Sequence, residues 1–230
     1  MKSRFIDKLL AILGCILVPV LAISLSALIP CLIRGFYTPW IYILDIPGYS
    51  GFSEEQIFTA YNGIMDFIWC GAPFETGLKV SEQAIDHFRD CIPLFWAQLW
   101  MALGSLVYLI GYFALIKTKI IRRVDLAKIP LVAYGGAIGI LLLLIIGVWA
   151  AIDFDGLFVV FHMIAFPGKS NWVFDWKEDQ VIWILPESYF AVCAVFIIAL
   201  AILIMVGFII YGFVSRNKNS TIMMKKLSRA

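Results

Sequence analysis

The chain has 230 residues, of which 62% are hydrophobic and 15% are charged, and its mean hydropathy is +0.93. This composition excludes a soluble globular domain, in which about 25% of the residues are charged, and it indicates an integral membrane protein. The formal net charge is +2, and we expect no nucleic-acid partner.

Four apolar stretches are long enough to cross a bilayer, whose hydrocarbon core requires roughly 20 apolar residues per helix. They occupy residues 9–33, 92–116, 129–152 and 189–214. The first follows a basic N-terminus, as a signal peptide would, but its run of about 25 apolar residues exceeds the roughly 7 to 15 of a signal peptide. The sequence therefore predicts an all-α polytopic membrane protein with a four-helix transmembrane bundle.

The basic residues predict the orientation of these helices, because short loops rich in Lys and Arg remain in the cytoplasm. Thirteen of the 18 basic residues lie in the N-terminus, in the loop 117–128 or in the tail 215–230. They are Lys2, Arg4, Lys8, Lys117, Lys119, Arg122, Arg123, Lys128, Arg216, Lys218, Lys225, Lys226 and Arg229. We therefore expect both termini in the cytoplasm and the segments 34–91 and 153–188, which hold 14 of the 16 acidic residues, outside the cell.

The eight tryptophans also favour one side of the membrane. All of them lie in the two outer segments or at the outer ends of the predicted spans, at Trp40, Trp69, Trp96, Trp100, Trp149, Trp172, Trp176 and Trp183. An ordinary interfacial belt decorates both membrane faces. We therefore expect the two extracellular loops to form one outer cap on the membrane surface, although a purely structural cap would have the same composition.

His87 is one of only two histidines in the chain, and it lies in the stretch "VSEQAIDHFRDCIPLFW". We predict a short helix that begins after Ser81, its N-cap, and runs toward Pro93. On that helix a carboxylate is placed to orient or charge the imidazole. The residues that share the face of His87 are Gln83, Asp90 and Cys91.

His162, in the stretch "FVVFHMIAFPGKSNW", is the second histidine and follows the third predicted span. Phe158 and Phe166 are four residues before and after it, and this apolar setting favours the neutral, base-competent imidazole. In an antiparallel bundle His87 and His162 would both lie at the outer end and could face each other, as acid/base catalysis requires. The alternative is two unrelated surface histidines, and a satisfied buried histidine would have the same neighbours.

Motifs of other chemistries are absent from the sequence. The five cysteines have no CxxC spacing, which argues against a zinc or thiol redox site, and we expect neither a metal nor a cofactor. Cys70 and Cys91 could form an external disulfide. The GxxxG pair Gly135 and Gly139 predicts close helix packing. The predicted spans carry no interior charged residue, which argues against an ion pathway.

The stretch "FVVFHMIAFPGKSNWVFDWKEDQVIWILPESYF", together with "EQAIDHFRDC" and "YTPWIYILDI", resembles the DUF1461 family of small bacterial membrane proteins, which includes lipoprotein intramolecular transacylases. The resemblance covers the whole layout of four helices, a long first outer loop, a histidine with an aspartate three residues later, an FH, a W-x-F and a late LP. The chain departs from the family pattern at Cys91, where an aliphatic residue is more usual, and at "KEDQVI".

The resemblance implies an enzyme of Gram-positive bacteria, in the cell membrane, whose partners are a diacylated lipoprotein N-terminus and membrane lipids. Such an enzyme moves the sn-2 acyl chain of the S-diacylglyceryl cysteine to that cysteine's α-amino group and gives the lyso-form lipoprotein. The essential histidines of the family correspond to His87 and His162. The predicted substrate-binding residues are aromatic, namely Trp172, Phe174, Phe158 and Phe166.

Roles within the predicted site follow from the neighbours of each histidine. His162 is the predicted base, and His87, oriented by Asp90, is the predicted acid or oxyanion partner, although the two roles can be exchanged. Arg89 is either an external ion-pair residue or a contact for the lipoprotein main chain or a lipid headgroup. Two other functions stay open at this stage: another outer-leaflet lipid hydrolase or acyltransferase, and a non-enzymatic envelope protein.

Overall fold

A computed structural model describes residues 4–227, with their side chains up to residue 214. The chain divides into two compact units. One contains the residues up to Leu25, Trp100–Ile146 and the residues from Ile198 onward, and the other contains Ser26–Leu99 and Gly147–Ile197. The predicted inner basic residue Lys2 and the basic side chains of the tail 215–230 lie outside the described part.

Within the described residues, four helices are long and apolar enough to cross a membrane. They are α1 (Phe5–Leu32), α5 (Glu82–Lys117), α6 (Leu131–Ile152) and α9 (Glu187–Leu227), and the apolar part of α9 is Glu187–Val214. The shortest, α6, has 22 residues and is about 33 Å long at 1.5 Å per residue, enough for a hydrocarbon core of about 30 Å. The prediction of an all-α protein with four transmembrane helices is confirmed.

The first unit packs its helices closely at the glycines of α6. A Cβ atom at Gly135 would lie 1.9 Å from the carbonyl oxygen of Cys15, and one at Gly139 would lie 2.5 Å from the sulfur of Met205. Neither position has room for a larger residue, so the GxxxG pair serves helix packing, as predicted. The link between α5 and α6 contains a short hairpin of two strands, β1 (Asp125–Leu126) and β2 (Ile129–Pro130), which pair antiparallel.

The second unit contains the shorter helices, which come from the two long segments. They are α2 (Thr38–Ile43), α3 (Ile46–Ser50), α4 (Glu54–Cys70), α7 (Phe154–Ala165) and α8 (Val181–Ile184), preceded by a 3-10 turn at Arg34–Phe36. The sequence sets both ends of α4. Ser53 and Gln56 form a capping box, which satisfies two free N–H groups, and Gly71 ends the helix with a φ of +68°, a conformation that glycine adopts without strain.

The core of the second unit joins the two long segments of the sequence. Tyr37 stacks on Tyr61 at a centroid distance of 4.2 Å, and its hydroxyl donates a hydrogen bond to the carbonyl of Ile184. The backbone N–H of Gln180 also donates to the carbonyl of Lys79 at 2.9 Å. The two segments therefore fold as one body, which positions the residues of α5 and α7 relative to each other.

Helix α5 begins as predicted but extends further than predicted. The N–H of Ala84 donates to the Ser81 hydroxyl oxygen at 3.2 Å, which is the expected N-cap. The helix then continues through Pro93 to Lys117, so the prediction of a separate short helix is wrong. A proline removes one backbone hydrogen bond, and membrane helices tolerate that loss. His87 is consequently part of the same helix as the second span.

Candidate active site

Helix α7 carries His162 and exposes its apolar side chains while it buries the histidine. Its N-terminus is capped by Asp153, whose carboxylate accepts a hydrogen bond from the N–H of Gly156 at 2.8 Å. The helix has 12 residues and is about 18 Å long, too short to cross the membrane. Phe161, Met163 and Ile164 are exposed, whereas His162 is buried at 7% exposure. The apolar face of α7 therefore lies on the surface of the protein, as in a helix that lies against lipid.

The two histidines lie side by side. The ring centroids of His87 and His162 are 5.7 Å apart, and His87 is also 7% exposed, although the residues are 75 positions apart in the sequence. The expectation that they face each other is met, and the alternative of two unrelated surface histidines is wrong.

Aromatic side chains form the walls around the two imidazole rings. The ring of His162 is 4.0 Å from that of Phe158 and 5.0 Å from that of Trp172. The ring of His87 is 4.7 Å from that of Phe166 and 5.5 Å from that of Phe174. The structure thus brings all four predicted aromatic residues against a histidine, and we call this group the aromatic chamber: His87, His162, Phe158, Phe166, Trp172 and Phe174. Substrate binding by these aromatic rings stays a prediction.

The hydrogen bond of His162 defines its tautomer. Its Nδ1 lies 2.7 Å from the carbonyl oxygen of Phe158, and because a carbonyl only accepts, Nδ1 carries the hydrogen. The Nε2 atom of the neutral ring then has a free lone pair. Burial lowers the pKa of His162, and the bond to the Phe158 carbonyl opposes that shift. The neutral form is thus favoured at pH 7, which is the form that accepts a proton.

His87 has a different environment. Its Nε2 lies 3.6 Å from the sulfur of Cys91, and its buried Nδ1 has no hydrogen-bond partner among the described residues. A buried imidazole without a carboxylate partner is favoured in its neutral form. Because a buried neutral thiol is a weak donor, an S–H bond to Nε2 would leave the hydrogen on Nδ1.

Asp90 does not hydrogen-bond to His87, contrary to our expectation. Its carboxylate accepts hydrogen bonds from the ammonium of Lys169 and from Nδ2 of Asn171, the latter at 2.8 Å. At i+3 the Asp90 side chain is rotated about 60° around the helix axis from that of His87 and reaches the 168–171 loop. It therefore joins that loop to α5, and Gln83 adds a bond to the carbonyl of Val173 at 3.1 Å.

Arg89 forms an ion pair with Asp86 on the same helix, and both side chains are more than half exposed. This geometry favours the first of its two predicted roles, that of an external ion-pair residue. The cysteines, all within the described residues, are free, so Cys70 and Cys91 do not form a disulfide here. Sequence reasoning did not identify Lys169 and Asn171, because their contacts with α5 join positions about 80 residues apart.

Comparisons with known proteins give one family match and several similar solved structures. The family model described as lipoprotein intramolecular transacylase Lit matches residues 12–190. No curated protein matches the chain. Three solved structures of the membrane-integral lipoprotein intramolecular transacylase Lit from Bacillus cereus are similar to it, two of which carry a substitution of one histidine.

The similarity extends over almost the whole chain. The first of these structures has 19% identity and a TM-score of 0.71 and covers 98% of this chain and 99% of its own. The second has 20% identity, a TM-score of 0.71 and coverages of 94% and 95%. The third has 22% identity, a TM-score of 0.67 and coverages of 93% and 96%.

The fold is therefore that of a multi-pass, membrane-integral protein whose long loops form a folded body. The chain belongs to the lipoprotein intramolecular transacylase family, as the resemblance of its sequence predicts, and it is a transacylase.

Proposed function

We propose that the protein converts diacylated lipoproteins to the lyso form by moving the sn-2 acyl chain of the S-diacylglyceryl cysteine to that cysteine's α-amino group. The observation that carries this proposal is the pair of buried histidines, with ring centroids 5.7 Å apart, inside the aromatic chamber. In the reaction a C–N bond forms and the ester C–O bond to glycerol breaks. The amine proton ends on the glyceryl oxygen, so no co-reactant is required.

Proximity supplies a large part of the rate in this proposal. The amine and the ester belong to the same modified cysteine, and a tethered, oriented nucleophile reacts with an effective molarity of about 10⁵ M or more. The α-amine has a pKa of about 7.7 to 8, so roughly a tenth or more of it is neutral at pH 7. The protein then has to accept the amine proton, stabilise the oxyanion and protonate the leaving oxygen.

His162 is the base in this mechanism. Its Nδ1–H is held by the carbonyl of Phe158 at 2.7 Å, so the lone pair of Nε2 is the one that accepts the proton when the amine attacks the ester carbon. The resulting imidazolium is the acid that returns this proton to the glyceryl oxygen. A lowered pKa of His162 keeps the resting base neutral and makes the imidazolium a stronger acid toward the glyceryl oxygen.

His87 donates a hydrogen bond to the oxyanion in this mechanism. Its buried Nδ1 has no partner in the described part of the chain, and an N–H at that position would donate to the oxygen that becomes negative in the tetrahedral intermediate. The Cys91 thiol, 3.6 Å from Nε2, favours the tautomer with the hydrogen on Nδ1. The two rings thus carry the same tautomer but offer opposite groups to the substrate, a lone pair and an N–H.

The aromatic chamber and α7 suit a lipid substrate. The exposed side chains of Phe161, Met163 and Ile164 would lie in the acyl region of the outer leaflet, since a short apolar helix of this kind is stable at the interface. His162, on the opposite face of α7, would then be at the depth of the ester bonds. Phe158, Phe166, Trp172 and Phe174 would contact the glyceryl group and the first methylenes of the acyl chain.

The proposed orientation has both termini in the cytoplasm and the active site at the outer leaflet. A membrane-impermeant thiol reagent should then label Lys177→Cys in intact cells and should label Lys119→Cys only after the membrane is opened. Both side chains are exposed, and a Cys70→Ser background removes the exposed native thiol. The reverse labelling pattern would contradict the proposed orientation.

The proposed reaction is tested in a bacterial strain that makes only diacylated lipoproteins. On expression of this chain, mass spectrometry of the lipoprotein N-terminal peptides should show an N-acyl group and one remaining acyl chain on the glyceryl group, at unchanged total mass. Release of free fatty acid would indicate a lipid hydrolase instead. Unchanged N-termini, with the protein inserted and folded, would contradict the proposed reaction.

A further inference from the structure

A polar cleft of about 530 Å³ lies beside the aromatic chamber. The two share elements, since α5 and the loop after α7 each contribute residues to the chamber and to the cleft. The cleft is lined by Gln83, Asp86, Arg89, Asp90, Gly168, Lys169, Ser170 and Asn171. Its acidic and basic side chains form two ion pairs, Asp86 with Arg89 and Asp90 with Lys169, so the cleft carries no net charge.

Asn171 is one of the residues that line this cleft, and its amide oxygen has no hydrogen-bond donor among the described residues. Its Nδ2 donates to the carboxylate of Asp90 at 2.8 Å, and because a carboxylate only accepts, the identity of the amide nitrogen and oxygen is fixed. The Oδ1 atom is buried and accepts no hydrogen bond from the described residues. A buried amide oxygen without a donor is destabilising, so it is expected to have a partner in the working enzyme.

The position of Asn171 indicates which partner this is. It precedes Trp172, whose ring is 5.0 Å from that of His162, and it is joined to Asp90, three residues after His87 on α5. The proposed substrate has one N–H donor group that must lie near both histidines, namely the α-amino group.

We propose that Asn171 Oδ1 accepts a hydrogen bond from the α-amino group of the lipidated cysteine and so selects a free N-terminal amine. This inference rests on the proposed function, since it names the group that recognises the nucleophile of that reaction. Asn171 is a substrate-binding residue in this scheme. The cleft continues from it along Gln83 and Ser170, where the main chain that follows the cysteine would leave the active site.

The test measures binding without chemistry. The probes are two lipopeptides in which ether bonds replace the ester bonds of the glyceryl group, one with a free N-terminal amine and one in which a hydrogen atom replaces that amine. Their affinities for the full-length protein in detergent micelles are compared by calorimetry. We expect the wild type to prefer the free amine by about tenfold, as one hydrogen bond from a charged donor would give.

Two substitutions distinguish the effect of the Asn171 Oδ1 acceptor from that of the hydrogen bond between Asn171 and Asp90. Asn171→Leu loses both Oδ1 and the bond to Asp90, and it should bind the two probes equally. Asn171→Asp keeps an acceptor oxygen but loses the donor to Asp90, and it should keep the preference. Asn62→Leu is the matched control, because Asn62 accepts a hydrogen bond from Arg34 at 3.2 Å outside the cleft; it should behave as the wild type.

A preference that survives in Asn171→Leu, or that is absent from the wild type, would overturn the assignment. So would its loss in Asn171→Asp, which would attribute the effect to the bond with Asp90. Because neither probe can transfer an acyl chain, these outcomes are independent of the lipoprotein assay, and the recognition of the amine and the reaction itself can fail separately.

Discussion

Replacing either histidine by alanine should lower the rate of lyso-form production by about 10² to 10⁴, because general acid/base help contributes that much. The variants are His87→Ala and His162→Ala, assayed by mass spectrometry of lipoprotein N-termini in purified or membrane-inserted form. The double variant should be little worse than either single variant, since residues that act as a unit are not additive. Full activity in either single variant would contradict the two-histidine mechanism.

Glutamine substitutions separate the two proposed roles. An amide offers an N–H donor but no base, so His87→Gln should retain more activity than His87→Ala, whereas His162→Gln should be as inactive as His162→Ala. A buried polar residue outside the chamber provides the folding control, and Tyr189→Phe is suitable because Tyr189 is 4% exposed in the same core. If His162→Gln were the more active of the two glutamine variants, the base and the donor would have to be exchanged.

The sequence predicts the membrane helices and the pairing of the histidines because both follow from local signals. Apolar runs of more than 20 residues predict the spans, and the ends of two adjacent spans bring His87 and His162 to one side. The aromatic chamber is predictable for a similar reason. Phe158 and Phe166 are one helical turn before and after His162, and they contact its ring at 4.0 and 5.8 Å.

The surroundings of Asp90 could not be predicted in the same way. Helical spacing places Asp90 near His87, but a position three residues further on points to a neighbouring face, and there a loop from the other long segment supplies better partners. Lys169 and Asn171 bind that carboxylate across separations of 79 and 81 residues. Contacts of this kind depend on how two segments dock, which no periodicity in either segment indicates.

The structure also makes Cys91 the main candidate for a covalent route, because its sulfur lies 3.6 Å from Nε2 of His87. A Cys–His pair is the arrangement of an activated thiol nucleophile, and an acyl-enzyme on Cys91 would give a ping-pong mechanism. However, a thiolate is the reactive form and requires a cationic neighbour, whereas Cys91 is partly buried beside a His87 ring that is itself buried among aromatic residues.

The remaining hydroxyl and thiol groups of the long segments are less suitable as nucleophiles. Ser53 and Ser81 accept hydrogen bonds as the N-caps of α4 and α5, so their side chains have structural roles. Ser50 accepts a hydrogen bond from the N–H of Phe52 at 3.2 Å. The other candidate nucleophiles, which are to be tested by replacement with alanine, are Ser170, Ser188 and Cys70.

Direct attack by the substrate amine therefore predicts that no acyl group is ever attached to the protein. Cys91→Ala should retain more than about a tenth of the activity, because it removes only one weak hydrogen bond to His87, worth about 1 kcal/mol, and Cys91→Ser should retain more than Cys91→Ala.

A lipoprotein whose N-terminal amine is already acylated should give no product at all, since the nucleophile is gone. A ping-pong enzyme would instead take an acyl chain from this blocked substrate and accumulate a thioester or ester. Intact-protein mass spectrometry after incubation with the blocked lipoprotein distinguishes the two routes, and an increase in the enzyme's mass by one acyl group, absent in Cys91→Ala, would replace the direct mechanism by a Cys91 acyl-enzyme.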